Sequence, residues 1–532
     1  MTDTYNIRIQ PHERKITGTK GRSLMEALVD HSIFLRSDCG GKGSCGKCQV
    51  ETIGENGDRT SVTSCNYEVT EDLNIEIPET SLLSSHVITK APVVFPDSFK
   101  ARRTDSTQPS CYGIATDLGT TTIAIYLCDI NSGTVVSSVA VKNPQALYGD
   151  DVMSRIGSIN QDQDNLQHLQ KLVVNAIEWG INELVKAQKQ DVIEISRIVT
   201  VGNPAMIHIL AGVDPSPIGV SPYQPVFTEA RQLNTKDLGF SFSNIPLQVL
   251  PQVSGFIGGD ILSAGLAVDL TDQPEGTLLI DLGTNGELLL KGKDSLFATS
   301  CATGPAFEGA SLSCGTQAIP GAVNNISIAD RKAYPEFTII NPKNSKKVKP
   351  FGVCGTGVIS AVAEFCRNQI VQPSGAFVSD TDITPLQNDS NGRKAYTLVP
   401  NDVSQNGSSV HISQKDIRSV QLGKSALVTG IEFLLKAAGY TQAKKIIIAG
   451  AFGTHIEKED MLTLGMIPKI APGLVEIAGN SAGTGAVMVL CDKSYLTKAI
   501  EMSEDITTID LATNIEFQQV FVERLSFPFE AR

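Results

Sequence analysis

Apolar and polar positions change rhythm along the chain, and the change separates two architectures. Up to about Pro78 the pattern is short: Tyr5-Asn-Ile7-Arg-Ile9, Gln49-Val50-Glu-Thr-Ile53 and Leu73-Asn-Ile75-Glu-Ile77 alternate like half-buried strands. Ser23-Leu24-Met-Glu-Ala27-Leu28-Val-Asp has helical spacing, with Ser23 placed to cap it. Strands and one helix around a cysteine loop fit a small β-grasp domain over residues 1–78. Residues 79–110 then turn polar, with Ser84-Ser85, Pro92, Pro96, Arg102-Arg103 and Pro109, and read as a linker. As a flexible coil, about 30 residues span on the order of 30 Å, enough for the first domain to swing. An ordered strap packed on the next domain is the other reading.

After Cys111 the pattern is α/β. Apolar strands at 112–127, 198–201, 278–290 and 445–449 alternate with amphipathic helices. One helix shows its stripe at Leu166, Leu169, Leu172, Val173, Ala176, Ile177, Ile181, Leu184 and Val185, and Trp179 on its flank reads as packing. Asp-Leu-Gly-Thr occurs twice, at 117–120 and 281–284, each time after an apolar strand and before residues suited to a hairpin. Such a repeat implies a two-lobed α/β fold built by duplication, with a first lobe over 111–275 and a second over 276–532.

With 532 residues the chain exceeds one ordinary domain, and its net charge of −13 argues against nucleic acid or an anionic membrane as partner. The first residues carry no basic segment followed by an apolar one, so no secretory signal is read, and no apolar run approaches the roughly 18 residues of a spanning helix. Eleven cysteines are an odd number and are not spaced as a disulfide framework. A reducing cytoplasm, with thiols free or metal-bound, is the simpler reading. Seven scattered histidines form no metal-binding spacing.

The repeated element has a chemistry. Glycine lets the backbone approach an anion, and turn N–H groups and threonine hydroxyls donate to phosphate oxygens. The aspartate can hold Mg²⁺ or orient water. Asp117 and Asp281 are therefore the candidate catalytic carboxylates, and Gly119, Thr120, Thr121, Gly283, Thr284 and Asn285 the candidate phosphate ligands. The strand Ile446-Ile-Ile-Ala449 runs into Gly450-Ala451-Phe452-Gly453-Thr454, a small-residue turn suited to a nucleoside. Glu308, in a glycine-flanked loop after the second phosphate element, is a catalytic candidate or a solvated loop charge.

Near the N-terminus stands Cys39-x5-Cys45-x2-Cys48, with Cys65 beyond and Gly40, Gly41, Gly43 and Gly46 between. Three thiolates on one glycine-rich loop plus a fourth suit a [2Fe–2S] centre. Zinc is the rival, although zinc ribbons usually show two C-x2-C pairs, and free thiols are the third option. Cys65 follows Cys48 after only 16 residues, nearer than ferredoxins usually place the last ligand.

The three elements at 117, 281 and 446 resemble the phosphate-1, phosphate-2 and adenosine motifs of the acetate and sugar kinase, Hsp70 and actin superfamily. Gly355-Thr356-Gly357 and the helix after it look like that fold's connecting helix, and the resemblance implies ATP and Mg²⁺ held between lobes. A ferredoxin-like [2Fe–2S] domain, a linker and such an ATPase together resemble the reductive activators of corrinoid proteins. Gly202-Asn203-Pro204-Ala-Met206-Ile-His208, Gly304-Pro305-Ala306-Phe307-Glu308-Gly309-Ala310 and Asp416-Ile417-Arg418-x2-Gln421-Leu422 strengthen that likeness.

The likeness implies ATP-dependent one-electron reduction of Co(II) to Co(I) in a corrinoid protein serving methyl transfer. An external low-potential donor would feed the cluster, and ATP would act on the complex rather than on the cluster itself. A homodimer is left open. The alternatives are a redox-regulated small-molecule kinase and a chaperone-like ATPase. Cys301 and Cys314 are read as structural thiols rather than a second cluster, as are Cys111, Cys128, Cys354, Cys366 and Cys491.

Overall fold

The computed structural model describes residues 3–528 apart from 12, 32, 36–40, 42, 44–45, 79–80, 83–92, 100–110, 189–192, 243, 310–311, 342–347, 380–381, 389–391, 451–455 and 512. The chain divides into two compact units. Met1–Lys90, Lys100–Asp260 and Ala486–Leu496 form the first, and Ala91–Phe99, Ile261–Gly485 and Thr497–Arg532 the second.

The first unit opens with a five-stranded sheet of β1 (Thr4–Gln10), β2 (Arg14–Thr19), β3 (Gln49–Ile53), β4 (Arg59–Thr63) and β5 (Leu73–Glu76), in the order β2-β1-β5-β3-β4. β1 pairs antiparallel with β2 and parallel with β5. Alternation along β1 puts Ile7 and Ile9 inside, where α1 (Leu24–Asp30) covers them with Leu24, Met25, Leu28 and Val29. Ser23 caps α1 as its position foretells, in a reciprocal box with Glu26.

A six-stranded sheet follows, made of β6 (Tyr112–Leu118), β7 (Thr122–Asp129), β8 (Thr134–Lys142), β9 (Ile195–Gly202), β10 (Arg231–Asn234) and β11 (Pro246–Val249), in the order β10-β11-β9-β6-β7-β8. Both faces of β6 are covered, so all seven of its residues are buried and the apolar run does not alternate. Helices α2 (Val152–Gln161), α3 (Asp164–Ala187) and α4 (Pro204–Leu210) belong to this layer. α3 buries Leu169, Leu172, Val173, Ala176, Ile177, Ile181 and Leu184 of the expected stripe. A Cβ on its Gly180 would collide with Ile125 of β7, so the helix lies close on the sheet.

The two sheets of this unit share one continuous apolar core. Phe34 meets Trp179 edge-on, ring centroids 6.1 Å apart. Arg22 Nη2 donates to the Tyr148 hydroxyl at 2.7 Å, and Asn175 Nδ2 donates to the carbonyls of Val29 and Asp30 at 3.5 and 3.4 Å. The N-terminal sheet is therefore docked rather than free. Parts of the 79–110 stretch are ordered too. Leu82 forms a bridge with Leu35, and in the second unit Ser98 Oγ donates to Asp269 Oδ1 at 2.7 Å.

The second unit repeats the plan. β12 (Thr277–Leu282), β13 (Gly286–Lys291), β14 (Leu296–Cys301), β21 (Lys445–Ala449), β22 (Val475–Gly479) and β23 (Ile506–Thr508) lie in the order β22-β21-β12-β13-β14-β23. Two three-stranded sheets are added: β15 (Ala322–Ser327), β16 (Glu336–Ile339) and β17 (Gly352–Val353), then β18 (Leu386–Asn388), β19 (Lys394–Val399) and β20 (Val410–Ser413). In each unit a central strand (β6 or β12) pairs antiparallel with the next strand and parallel with a later one (β9 or β21). The duplicated motif therefore marks a duplicated topology.

Helices α6 (Gly355–Arg367), α7 (Gln414–Ala437), α8 (Lys458–Leu464) and α11 (Ile515–Glu523) lie wholly in the second unit. The helices that carry the chain between units are α5 (Gly259–Ala267), α9 (Ser481–Cys491) and α10 (Ser494–Asp505), which corrects the reading of 355–362 as the connecting helix. α6 stays local because its Gly357 has no side chain to hold it off Val323 of β15. Asp416, Arg418 and Gln421 are structural. Asp416 closes a capping box with Ser413, and Arg418 and Gln421 bind the Ser374 carbonyl. No described helix is long and apolar enough to cross a membrane.

His208 on α4 is fully buried and pins a loop. Its Nδ1 lies 2.6 Å from the Pro204 carbonyl, which can only accept, so Nδ1 carries the hydrogen. Nε2 then accepts from Val226 N and Phe227 N at 3.0 and 3.3 Å. Burial, aided by Arg231, holds the imidazole pKa below its ordinary value, against the opposing pull of the Pro204 bond and Glu229. A neutral folded form contributes stability fully present above the unfolded pKa of about 6.5 and lost as pH falls toward the folded one. We expect His208→Ala to cost about 2 kcal/mol at pH 7.5. We also expect it to flatten the decline in urea midpoint of the wild type between pH 6.5 and 5. Parallel slopes in the two proteins would contradict this role.

Candidate functional site

The first Asp-Leu-Gly-Thr closes the hairpin between β6 and β7. Gly119 N donates to Thr122 O at 3.1 Å, and a Cβ on Gly119 would stand 2.6 Å from that oxygen, so only glycine turns here. Asp117 and Thr120 are buried beside it, each 8% exposed. The turn is held from behind. Asn143 Nδ2 donates to Gly119 O at 3.0 Å, and Asn143 N to Thr121 O at 2.8 Å.

Arg155, with no exposed surface, donates through Nη2 to Thr120 O at 2.6 Å, through Nη1 to Gln145 Oε1 at 3.0 Å and through Nε to Gly149 O at 3.0 Å. Burial lowers its guanidinium to about 10, and Asp151 and Asp150 oppose that loss. Asn203 supplies the front. Its Nδ2 donates to Thr120 Oγ1 at 2.9 Å, and its Oδ1 accepts from Met206 N at 3.0 Å as the N-cap of α4.

The second copy closes β12 and β13. Gly283 N donates to Asn285 O at 2.9 Å. Thr303 Oγ1 lies 3.2 Å from Gly283 O and 3.1 Å from Thr284 O, and Gly304 N donates to Thr284 O at 3.0 Å. Thr284 is 8% exposed, whereas Asp281 and Asn285 are half-buried. Glu308 ends a 3-10 turn over Pro305–Glu308, and its Oε1 lies 4.0 Å from where a Gly283 Cβ would stand. Glu308 is half-buried.

The duplication reaches single atoms. Asp117 pairs with Val201 on β9, and Asp281 with Ala449 on β21, so Gly202 and Gly450 occupy equivalent positions. A Cβ on Gly202 would stand 2.7 Å from Leu118 O, and one on Gly450 would collide with Leu282 O, which follows the second aspartate. It would also stand 2.9 Å from Asp281 Oδ1, so the strand that begins the adenosine element lies against the second carboxylate. Ala451 and Phe452 lie outside the described residues.

Of the four thiols, Cys39 and Cys45 also lie outside the described residues. Cys48 is buried, Cys65 half-buried, and their sulfurs are 3.4 Å apart. That is far beyond a disulfide bond of about 2.05 Å. It is close to the roughly 3.8 Å separating two sulfurs on one tetrahedral metal at 2.3 Å each. Gly41, Gly43 and Gly46 all take the left-handed conformation, at φ 86°, 73° and 62°. A Cβ on Gly43 would collide with Asn66, next to Cys65, and one on Gly41 would lie 2.5 Å from Leu147 Cδ2. Two close thiols beside left-handed glycines at 41, 43 and 46 fit a metal–sulfur centre.

Cys301, Cys354 and Cys366 are buried and Cys314 half-buried among ordinary partners. Burial raises the thiols of Cys314 and Cys366, the latter to about 12, as structural thiols require. Sequence reading missed Asn143, Arg155 and Thr303. No pattern announces a buried arginine on an amphipathic helix, whereas Thr303, two residues before Pro305, could have been found as a partner of the second turn.

Residues 112–273 match the family model of the RACo middle region, and residues 275–532 that of the C-terminal domain of RACo, the ASKHA domain. The chain is 28% identical to the corrinoid activation enzyme RamQ of Eubacterium limosum, covering 97% of this chain and 98% of that protein. It is 25% identical to the [Co(II) methylated amine-specific corrinoid protein] reductase of Methanosarcina barkeri, covering 78% and 77%. A local match, 30% identical over 93 residues, links 15% of the chain to a component of the Na(+)-translocating NADH-quinone reductase of a Marinomonas strain, 22% of which it covers. A solved structure of a reductive activator for corrinoid, iron-sulfur protein superposes with a TM-score of 0.75 at 25% identity, covering 99% of this chain and 98% of that one.

The double duty of Asn203 yields a separable prediction. Asn203→Ala loses both cap and donor, and is expected to cost about 1 kcal/mol of stability. It should also weaken Mg-ATP binding about tenfold, equivalent to 1.4 kcal/mol. Asn203→Asp keeps the cap but cannot donate to Thr120 Oγ1, so calorimetry should find stability retained and affinity lost. Equal affinity in all three proteins would contradict the assignment.

Proposed function

The chain belongs to the RACo family of reductive activators of corrinoid proteins, and on that premise we propose that it delivers one electron to Co(II) of a corrinoid protein, giving Co(I), with Mg-ATP making the transfer favourable. The reading divides the chain into a ferredoxin-like [2Fe–2S] domain (1–78), a linker (79–110), a first ATPase lobe (111–275) and a second (276–532). The family-model boundaries at 112–273 and 275–532 support the last two.

Cys39, Cys45, Cys48 and Cys65 hold the cluster, which when bound supplies a one-electron couple, about −400 mV for the plant type. Burial of Cys48 keeps water from its side of the centre. Asp117 and Asp281 hold Mg²⁺ and orient water. The turns at Gly119, Thr120 and Thr121 and at Gly283, Thr284 and Asn285 bind phosphates. Gly450, Ala451 and Phe452 line the nucleoside. Glu308 takes a proton from water near the second turn.

Each ~59 mV by which the acceptor lies below the donor costs about 1.4 kcal/mol, so a gap of 100–200 mV costs roughly 2–5 kcal/mol. Nucleotide binding can supply that by favouring a corrinoid conformation that is easier to reduce. A corrinoid protein, an external low-potential donor and a cytoplasmic setting complete the reading, and a homodimer is compatible with it. One observation carries it: a chain with a thiol pair at metal-sharing distance also bears two phosphate hairpins of identical topology. The kinase and chaperone-like readings leave the thiol pair without a task.

With Ti(III) citrate as reductant, the absorbance of a corrinoid protein should shift from Co(II) to Co(I) only when this protein and Mg-ATP are both added. Asp281→Asn should slow the shift at least a hundredfold, the range lost when one preorganised charge partner is removed. A full shift without ATP, or turnover of a small-molecule phosphoryl acceptor with no corrinoid protein present, would contradict the proposal.

A further inference from the structure

The docking of the N-terminal sheet brings Gly41 and the neighbouring Cys65 onto the segment that braces the first phosphate turn. Asn143 binds that turn twice, at Gly119 O and Thr121 O. Its Oδ1 also accepts from Gln145 N at 3.0 Å and so starts the 3-10 turn Pro144–Leu147. Gln145 is fully buried and shares its Oε1 between Asn143 and Arg155, while its Nε2 donates to Leu169 O at 2.9 Å. The turn thus has few ways to move on its own.

Its far end is the dock. Leu147 Cδ2 fills the place where a Gly41 side chain would be, and that same position is 3.9 Å from Cys65 Cβ. Tyr148, the next residue, accepts from Arg22, which also binds Glu26 in the capping box of α1 at 2.9 Å. Six residues, 143–148, therefore link a phosphate-binding backbone to a metal-binding loop through direct contacts.

We propose that this segment couples the two sites. Leu147 and Tyr148 are positioning residues through which nucleotide at the first phosphate turn alters the seat of the cysteine loop, and through which the oxidation state of that loop alters nucleotide affinity. The inference goes beyond the functional reading above, in which nucleotide acts on the corrinoid complex, and rests on its assignment of the two sites. The element that responds is the dock itself, whose described polar contacts are few and of the kind transient interfaces use. Linkage requires the effect to be reciprocal: whatever factor separates nucleotide affinities of oxidised and reduced protein must appear as a shift in the cluster's midpoint potential on binding nucleotide.

The test uses the full chain with its cluster, anaerobically, and Mg-AMPPNP as probe. Titration calorimetry of oxidised and reduced protein should give dissociation constants about tenfold apart. A redox titration with and without probe should then show the matching shift of about 59 mV for one electron. Leu147→Ala should reduce the ratio to below about twofold while the oxidised protein binds as before. Tyr148→Phe, a milder change that removes only the hydroxyl contact, should give an intermediate ratio. Measurable binding with equal constants in both redox states, or an undiminished ratio in Leu147→Ala, would overturn the coupling and leave the functional reading standing. No binding of the probe in either state would overturn both.

Discussion

A guanidinium with no exposed surface is tolerated only where acceptors surround it, and the first unit is arranged around that demand. Arg155 reaches a carbonyl of the phosphate turn, a side chain of the bracing segment and a carbonyl before its own helix. Removing a partner would leave a buried charge short of an acceptor, so the three backbone segments hold one geometry together. The phosphate role proposed for this turn would benefit directly. A turn held in one geometry need not be reordered each time an anion binds.

The second unit reaches a similar turn by different means. Where the first uses a charged side chain from a helix, the second uses Thr303, whose hydroxyl lies between two carbonyls of the turn. What the units share is backbone: a carboxylate ending a central strand, a glycine turn, and a parallel neighbour whose glycine abuts the residue after the carboxylate. Duplication preserved the constraint that side chains cannot satisfy, and let the supporting side chains diverge.

Most of this frame could be read from residues. Asp-Leu-Gly-Thr after an apolar run located both hairpins, the α3 stripe identified its buried face, and Ser23 found its cap. Helix roles were less legible. Gly355-Thr356-Gly357 looked like a crossing helix because small residues signal close approach, yet the approach is to β15 of the same unit. Docking was invisible, since Phe34 and Trp179, or Gly41 and Leu147, are far apart in sequence and each follows its own local pattern. Arg155 was hidden for the same reason: its partners come from separate places along the chain.

The account requires metal at the Cys48–Cys65 pair, because without an electron carrier the nucleotide machinery has nothing to drive. The most direct measurement is electron paramagnetic resonance of the anaerobically purified, dithionite-reduced chain. A [2Fe–2S] centre predicts a spin-half signal of about one spin per chain, with two iron and two sulfide ions found by analysis. A silent spectrum with one zinc per chain would contradict it.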